Sequence, residues 1–187
     1  VICKTLLNPG DEVIAFAPYF GEYRSYVGNY DGELVVVSPN TETFQPNLDE
    51  FETKITAKTK AVIVNSPNNP SGVVYSEATI IKMAEILNKK QEEFGTDIYL
   101  ISDEPYRELA YGVEVPYIPK YYNNTLVCYS YSKSLSLPGE RIGYIFVSPN
   151  VDDKGKVYAA VCGAGRALGY VCAPSLLQLT VKDCVDL

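Results

Sequence analysis

Six short apolar runs, each followed by polar or turn residues, constrain this chain more than any other feature. They fall at residues 12–17, 33–38, 61–65, 98–103, 125–130 and 142–148 and are rich in Val, Ile, Tyr and Phe. Several are apolar on consecutive positions, the pattern of strands covered on both faces. Between the runs lie helical patterns. Ile80, Met83, Ala84 and Leu87 recur at helical spacing within 77–94. Ser76 suits the start of that helix and Gly95 its end. Asn47 caps a shorter helix at 47–53, and 154–163 and 174–183 also read as helical. Alternating strands and helices predict an α/β fold, a three-layer α/β/α sandwich around a mostly parallel sheet. The last run follows 125–130 too closely for a crossover helix, so one antiparallel strand is expected.

Composition removes several function classes. With no histidine among 187 residues, neither Ser–His nor Cys–His nucleophile pairs nor His-based metal sites are available. No metal site is expected. The net charge of −7 argues against a nucleic-acid surface, which needs a basic stripe. The cysteines, Cys3, Cys128, Cys162, Cys172 and Cys184, form no C-x-x-C pair and read as reduced thiols of a cytoplasmic protein. The most apolar stretch, 157–179, is interrupted by Gly163, Gly165, Arg166, Gly169 and Pro174, so no membrane span is expected. Its Gly163–Gly165–Gly169 spacing departs from the dinucleotide-binding fingerprint.

In open α/β sheets, ligands bind beyond the carboxyl ends of the strands. Three loops there are unusual. Asn65-Ser66-Pro67-Asn68-Asn69-Pro70-Ser71-Gly72 is a proline-stiffened turn that can aim an Asn side chain. Ser102-Asp103-Glu104-Pro105-Tyr106 puts an acid at the end of a buried run. In the third, residues 130–143, hydroxyls surround Lys133, and Arg141 lies eight residues further on. Hydroxyls, a guanidinium and backbone N–H groups together suit a dianion.

These stretches resemble the signature segments of the fold type I pyridoxal-phosphate (PLP) enzymes, class I/II aminotransferases, the aspartate aminotransferase family. The Ser-x-Ser-Lys…Gly-x-Arg-x-Gly stretch carries most of the likeness. Asn-Pro-Ser-Gly, Asp-x-x-Tyr, Asn8-Pro9-Gly10-Asp11 and Ala17-Pro18-Tyr19-Phe20 add to it. The resemblance implies the cofactor pyridoxal 5'-phosphate, held by Lys133. It pairs Asp103 with the ring nitrogen, Asn69 and Tyr106 with the 3-oxygen, and Phe20 with the ring face. It assigns the phosphate to Ser130, Ser132 and Arg141. Lys133, Asp103 and Tyr106 are the expected catalytic residues, with Lys133 shielded from water beside Arg141.

The implied reaction transfers an amino group between an α-amino acid and a 2-oxo acid, in an aspartate- or aromatic-type subgroup. The family shares its core with carbon–sulfur β-lyases, amino-acid synthases and PLP-binding sensor domains of transcription regulators, and these readings stay open. The resemblance also implies a homodimer. The family's glycine-rich phosphate loop is expected before Val1, and its small C-terminal domain has no counterpart here. Residues 1–187 therefore read as a partial large domain, cut from a longer protein and nearly inactive alone. Tyr19, Tyr23, Tyr26 and Tyr30 recur every three to four residues and read as one helix face packed on a neighbour.

Overall fold

The computed structural model describes residues 1–184. The expected domain, 1–187, thus ends three residues beyond what is described. Six strands form one sheet: β1 Glu12–Phe16, β2 Glu33–Val37, β3 Thr59–Asn65, β4 Tyr99–Asp103, β5 Thr125–Ser130 and β6 Gly143–Val147. Their spatial order is β2-β1-β3-β4-β5-β6. All neighbours run parallel except β5 and β6, which are antiparallel. Each of the six runs is thus a strand, and the last one turns back as expected.

Strand periodicity explains the consecutive apolar residues. Ile14, Phe16, Val62, Val64 and Leu100 enter one core with Phe51, Ile80, Met83 and Leu87. Val13, Ala15, Ala61, Ile63, Tyr99 and Ile101 enter the other, with Ile2, Leu6, Val27, Val157 and Val161. Successive side chains point to opposite faces, so a sheet covered on both sides must be apolar at every position. Helices α3 (Leu48–Lys54) and α4 (Glu77–Phe94) cover the first face. Helices α1 (Ile2–Leu6), α2 (Tyr23–Gly28) and, after the four-residue α5 (Tyr131–Ser134), α6 (Lys154–Ala167) cover the second. A final helix, α7, spans Ser175–Cys184.

Helix α4 has the bounds its pattern predicts. Ser76 Oγ accepts from Thr79 N at 3.1 Å, and Gly95 ends the helix at φ +64°. Fully burying Met83 and Leu87 is worth about 1.5–3 kcal/mol each. Helix α6 runs past the expected end at 163. Gly163 and Gly165 are helical, although each costs about 1 kcal/mol against alanine. Val161 and Ala164 are buried on that stretch, and their packing outweighs propensity. The glycines therefore form no nucleotide loop.

The tyrosine quartet does not form one face. Only Tyr23 and Tyr26 lie within α2, since the chain bends before Tyr23 and leaves the helix before Tyr30. Tyr23 is buried, whereas Tyr26 is exposed.

The chain passes from β1 outward to β2, then returns to place β3 on the other side of β1. Strand order reverses between β1 and β3, and such a switch point opens a crevice at the strands' carboxyl ends.

Candidate active site

A cleft of about 390 Å³ occupies that crevice. Its size falls in the lower part of the range for small-molecule sites, roughly 300–1,000 Å³. Phe20 arrives from the loop after β1, Asn69 from the loop after β3, and Asp103 and Tyr106 from the end of β4. Ser130, Ser132, Lys133 and Arg141 come from the β5–β6 connection. All eight residues singled out from the sequence line this one cleft.

Its β3–β4 end is tied by hydrogen bonds. Asn65 and Asp103 are the last residues of adjacent strands and stand in register. The buried Asn65 amide donates to the Asp103 carbonyl at 2.8 Å. Its oxygen accepts from Asn69 N–H at 2.7 Å. One side chain thus fixes the Asn69 loop to the backbone of the acid. Asn69 Nδ2 in turn donates to the Tyr106 hydroxyl at 3.2 Å. The Asp103 carboxylate accepts at Oδ2 from the Tyr23 hydroxyl at 2.5 Å. Burial pushes the Asp103 carboxyl above the usual carboxylate range. The Tyr23 hydrogen bond opposes this, and the nearby Glu104 charge adds to it. Burial, then the Asp103 charge, pushes the Tyr23 hydroxyl far above its ordinary value.

Glu104, although adjacent to Asp103, serves the scaffold. It is buried, accepts from Ser102 Oγ at 2.6 Å and pairs with Arg107 at 2.7 Å. Arg107 also donates to the carbonyls of Val115 and Pro116, both at 2.9 Å, and so folds the loop beyond Tyr106.

The β5–β6 end is more open. Ser130 caps the four-residue α5, its Oγ 2.7 Å from Ser132 Oγ. Lys133 Nζ stands 5.7 Å from the centre of the Tyr106 ring. The expected shielding of Lys133 is absent: it is exposed, because α5 lies on the open side of the cleft. Arg141 is also exposed. It adopts a left-handed backbone at φ +53° and donates to the Pro138 carbonyl at 2.7 Å. Gly143 closes this connection opposite Ser130. A Cβ there would lie 2.2 Å from the Tyr129 carbonyl oxygen, so no other residue fits.

Two residues that shape the site were not singled out from the sequence, Tyr23 and Asn65. Tyr23 reads as a core aromatic. Asn65, as a polar residue ending a buried strand, carries a usable signal. All five cysteines are free thiols. Among the described residues no acidic or thiol cluster could hold a metal ion. Nor is any helix among them long and apolar enough to cross a membrane.

Comparison with known proteins places the chain. The family model "Aminotransferase class I and II" matches residues 1–184. An aspartate aminotransferase of Thermotoga maritima is 37% identical over 150 residues, 78% of this chain and 38% of that protein. A probable aspartate/prephenate aminotransferase of Aquifex aeolicus is 36% identical over 78% of this chain and 37% of its own length. Among solved structures, an amino transferase of Eubacterium rectale superposes with a TM-score of 0.93 at 59% identity. It covers 95% of this chain and 45% of that one. The chain thus spans about two fifths of the length of these relatives. With the family model matching residues 1–184 and the fold superposing on solved members, the chain belongs to the class I and II aminotransferases, a family of PLP-dependent enzymes.

Proposed function

We propose that this chain is the cofactor-holding large-domain core of an aminotransferase that moves an amino group between an α-amino acid and a 2-oxo acid. The observation that carries the reading is the meeting of Lys133, Asp103, the Asn69–Tyr106 pair and the Ser130–Ser132–Arg141 group in one cleft. Their chemistry fits PLP group by group. A half-buried carboxylate at the end of β4 suits pairing with a protonated ring nitrogen. Two polar groups 3.2 Å apart suit a shared anionic oxygen. Two hydroxyls 2.7 Å apart, with a guanidinium in the same cleft, suit a phosphate dianion. The relatives' printed names, aspartate and aspartate/prephenate aminotransferase, favour an acidic or aromatic amino acid as substrate.

When bound, PLP supplies an aldehyde that condenses with amines and a ring that accepts electron density from the substrate's Cα. Lys133 is the primary amine that would hold the cofactor through that aldehyde. The free Lys133 Nζ would serve as the general base and acid that moves the substrate's Cα proton, help worth about 10²–10⁴ in rate. Asp103 would hold the proton on the ring nitrogen. Asn69 and Tyr106 would bind the 3-oxygen, Ser130, Ser132 and Arg141 would bind the phosphate, and Phe20 would pack on the ring. The open β5–β6 side leaves room for further segments of a longer protein, and in such a protein two copies complete the enzyme as a homodimer.

The test is the visible absorption of the full-length protein with PLP, before and after borohydride, beside its Lys133→Ala variant. The reading requires a lysine-dependent band and covalent trapping at Lys133. Trapping elsewhere, or none, overturns it. Keto acid formed without ammonia release separates transamination from β-elimination.

A further inference from the structure

Tyr23 has no role in the assignments above, yet it makes the closest side-chain contact in the cleft. It begins α2, is 5% exposed and donates to Asp103 Oδ2 at 2.5 Å across 80 positions of sequence. Its ring is gripped on two sides. Phe20 meets it edge-on with centroids 5.7 Å apart, and Tyr19 lies parallel to it at 6.4 Å. Among the described residues, no other side chain hydrogen-bonds the Asp103 carboxylate.

We propose that Tyr23 is a positioning residue, a fixed donor that occupies one oxygen of Asp103 and presents the other, ionised, to the ring nitrogen of PLP. This rests on the cofactor reading above. A carboxylate free to rotate in a cleft offers either oxygen in many directions. One held at Oδ2 by a clamped phenol, and at its backbone carbonyl by Asn65, has a single orientation. Charge follows the same logic. Burial favours the neutral form of Asp103, and a donated hydrogen bond favours the ionised form. Because the Tyr23 hydroxyl is itself pushed well above its ordinary value, it keeps its proton and remains a donor. The other ionisable groups near Asp103 are Glu104, Cys128, Tyr26, Tyr106, Lys133 and Arg141. Glu104 is committed to Arg107, and none of the six bonds to the Asp103 carboxylate. Without the phenol, Asp103 gains proton affinity. The proton shared with the ring nitrogen then shifts toward the carboxylate, leaving that nitrogen neutral.

The test uses Tyr23→Phe in the full-length protein loaded with ring-¹⁵N-labelled PLP. The substitution keeps the packed ring and removes only the donor. Expected are a ¹⁵N signal displaced toward the unprotonated form and PLP affinity weakened about tenfold, as for one hydrogen bond to a charged group. Trapping at Lys133 stays near wild type, and the melting temperature of the cofactor-free protein falls by no more than the loss of one hydrogen bond explains. In an Asp103→Asn background, Tyr23→Phe adds little to either readout. An unchanged ¹⁵N signal and affinity in Tyr23→Phe overturn the proposal, because packing alone then explains the residue. So does an equal loss with and without Asp103. Either result leaves lysine trapping in the wild type intact, whereas failure of trapping there removes the cofactor reading itself.

Discussion

The two ends of the cleft are built on opposite principles. At the β3–β4 end, Asn65, Asn69, Asp103, Tyr106 and Tyr23 interlock through hydrogen bonds between 2.5 and 3.2 Å. All five are buried or half-buried. At the β5–β6 end, Lys133 and Arg141 are exposed, and Ser136 and Arg141 hold left-handed backbone at φ +54° and +53°. Among the described residues, Lys133 Nζ makes no hydrogen bond or ion pair. Such backbone costs of order 1–3 kcal/mol per residue. The difference separates two tasks. Polarising a ring nitrogen requires a charge that does not reorient as the reaction proceeds. Exchanging a covalent bond between lysine and substrate requires an amine that can swing away.

Lys133→Ala gives the largest effect that contrast predicts. Turnover of the full-length protein falls by at least about 10²–10⁴. The melting temperature of the cofactor-free form hardly moves, because an exposed side chain whose contact is the Tyr106 ring at 5.7 Å holds little together. A large drop in that temperature breaks the contrast.

Gly143→Ala tests whether the open end is rigid where it must be. The added Cβ collides with backbone, and the forced shift costs about 1–3 kcal/mol. Urea unfolding reads that loss. PLP affinity falls with it, because the same hairpin holds Ser130 near Arg141.

Asn65→Ala probes the other end at similar cost. It leaves the Asn69 N–H and the Asp103 carbonyl without their partner, a loss of about 1–3 kcal/mol. PLP affinity then weakens although Asn65 makes both its bonds, one donated and one accepted, within the protein. Unchanged affinity means that the interlock is not what positions Asn69.

The smallest effect, and the one of opposite sign, belongs to Asp103→Asn. The folded chain holds the Asp103 proton more tightly than the unfolded chain, so the ionised carboxylate opposes folding at neutral pH. Without cofactor, the amide variant therefore melts at a higher temperature at pH 7. Its advantage shrinks as pH falls through the raised carboxyl value and vanishes below the ordinary carboxylate range. A variant that is less stable at pH 7 contradicts the assignment.

How far the sequence foretold these features follows from how local each one is. The strands were legible because double-sided burial leaves consecutive apolar residues, as at 61–65 and 98–103. Asn69, Asp103 and Lys133 were legible because their loops follow those strands and resemble the family's signature segments. The exposure of Lys133 was not, since residue types around a lysine do not say which way its short helix faces. Tyr23 was hidden for another reason. Its four-tyrosine spacing imitates a helix face, and its partner lies 80 residues away. Asn65 was readable in principle, because register places it beside Asp103, but register is a property of the assembled sheet.

That long reach of Tyr23 also bears on how the molecule comes into being. The phenol follows β1 and the acid ends β4, and their contact requires β3 to be laid between those strands. A chain emerging in order thus has no seat for the pyridine ring until β4 is made and no anchoring amine until residue 133. Loading with the vitamin-derived ligand must come after the central strands have docked, which makes its uptake a natural reporter of completed folding.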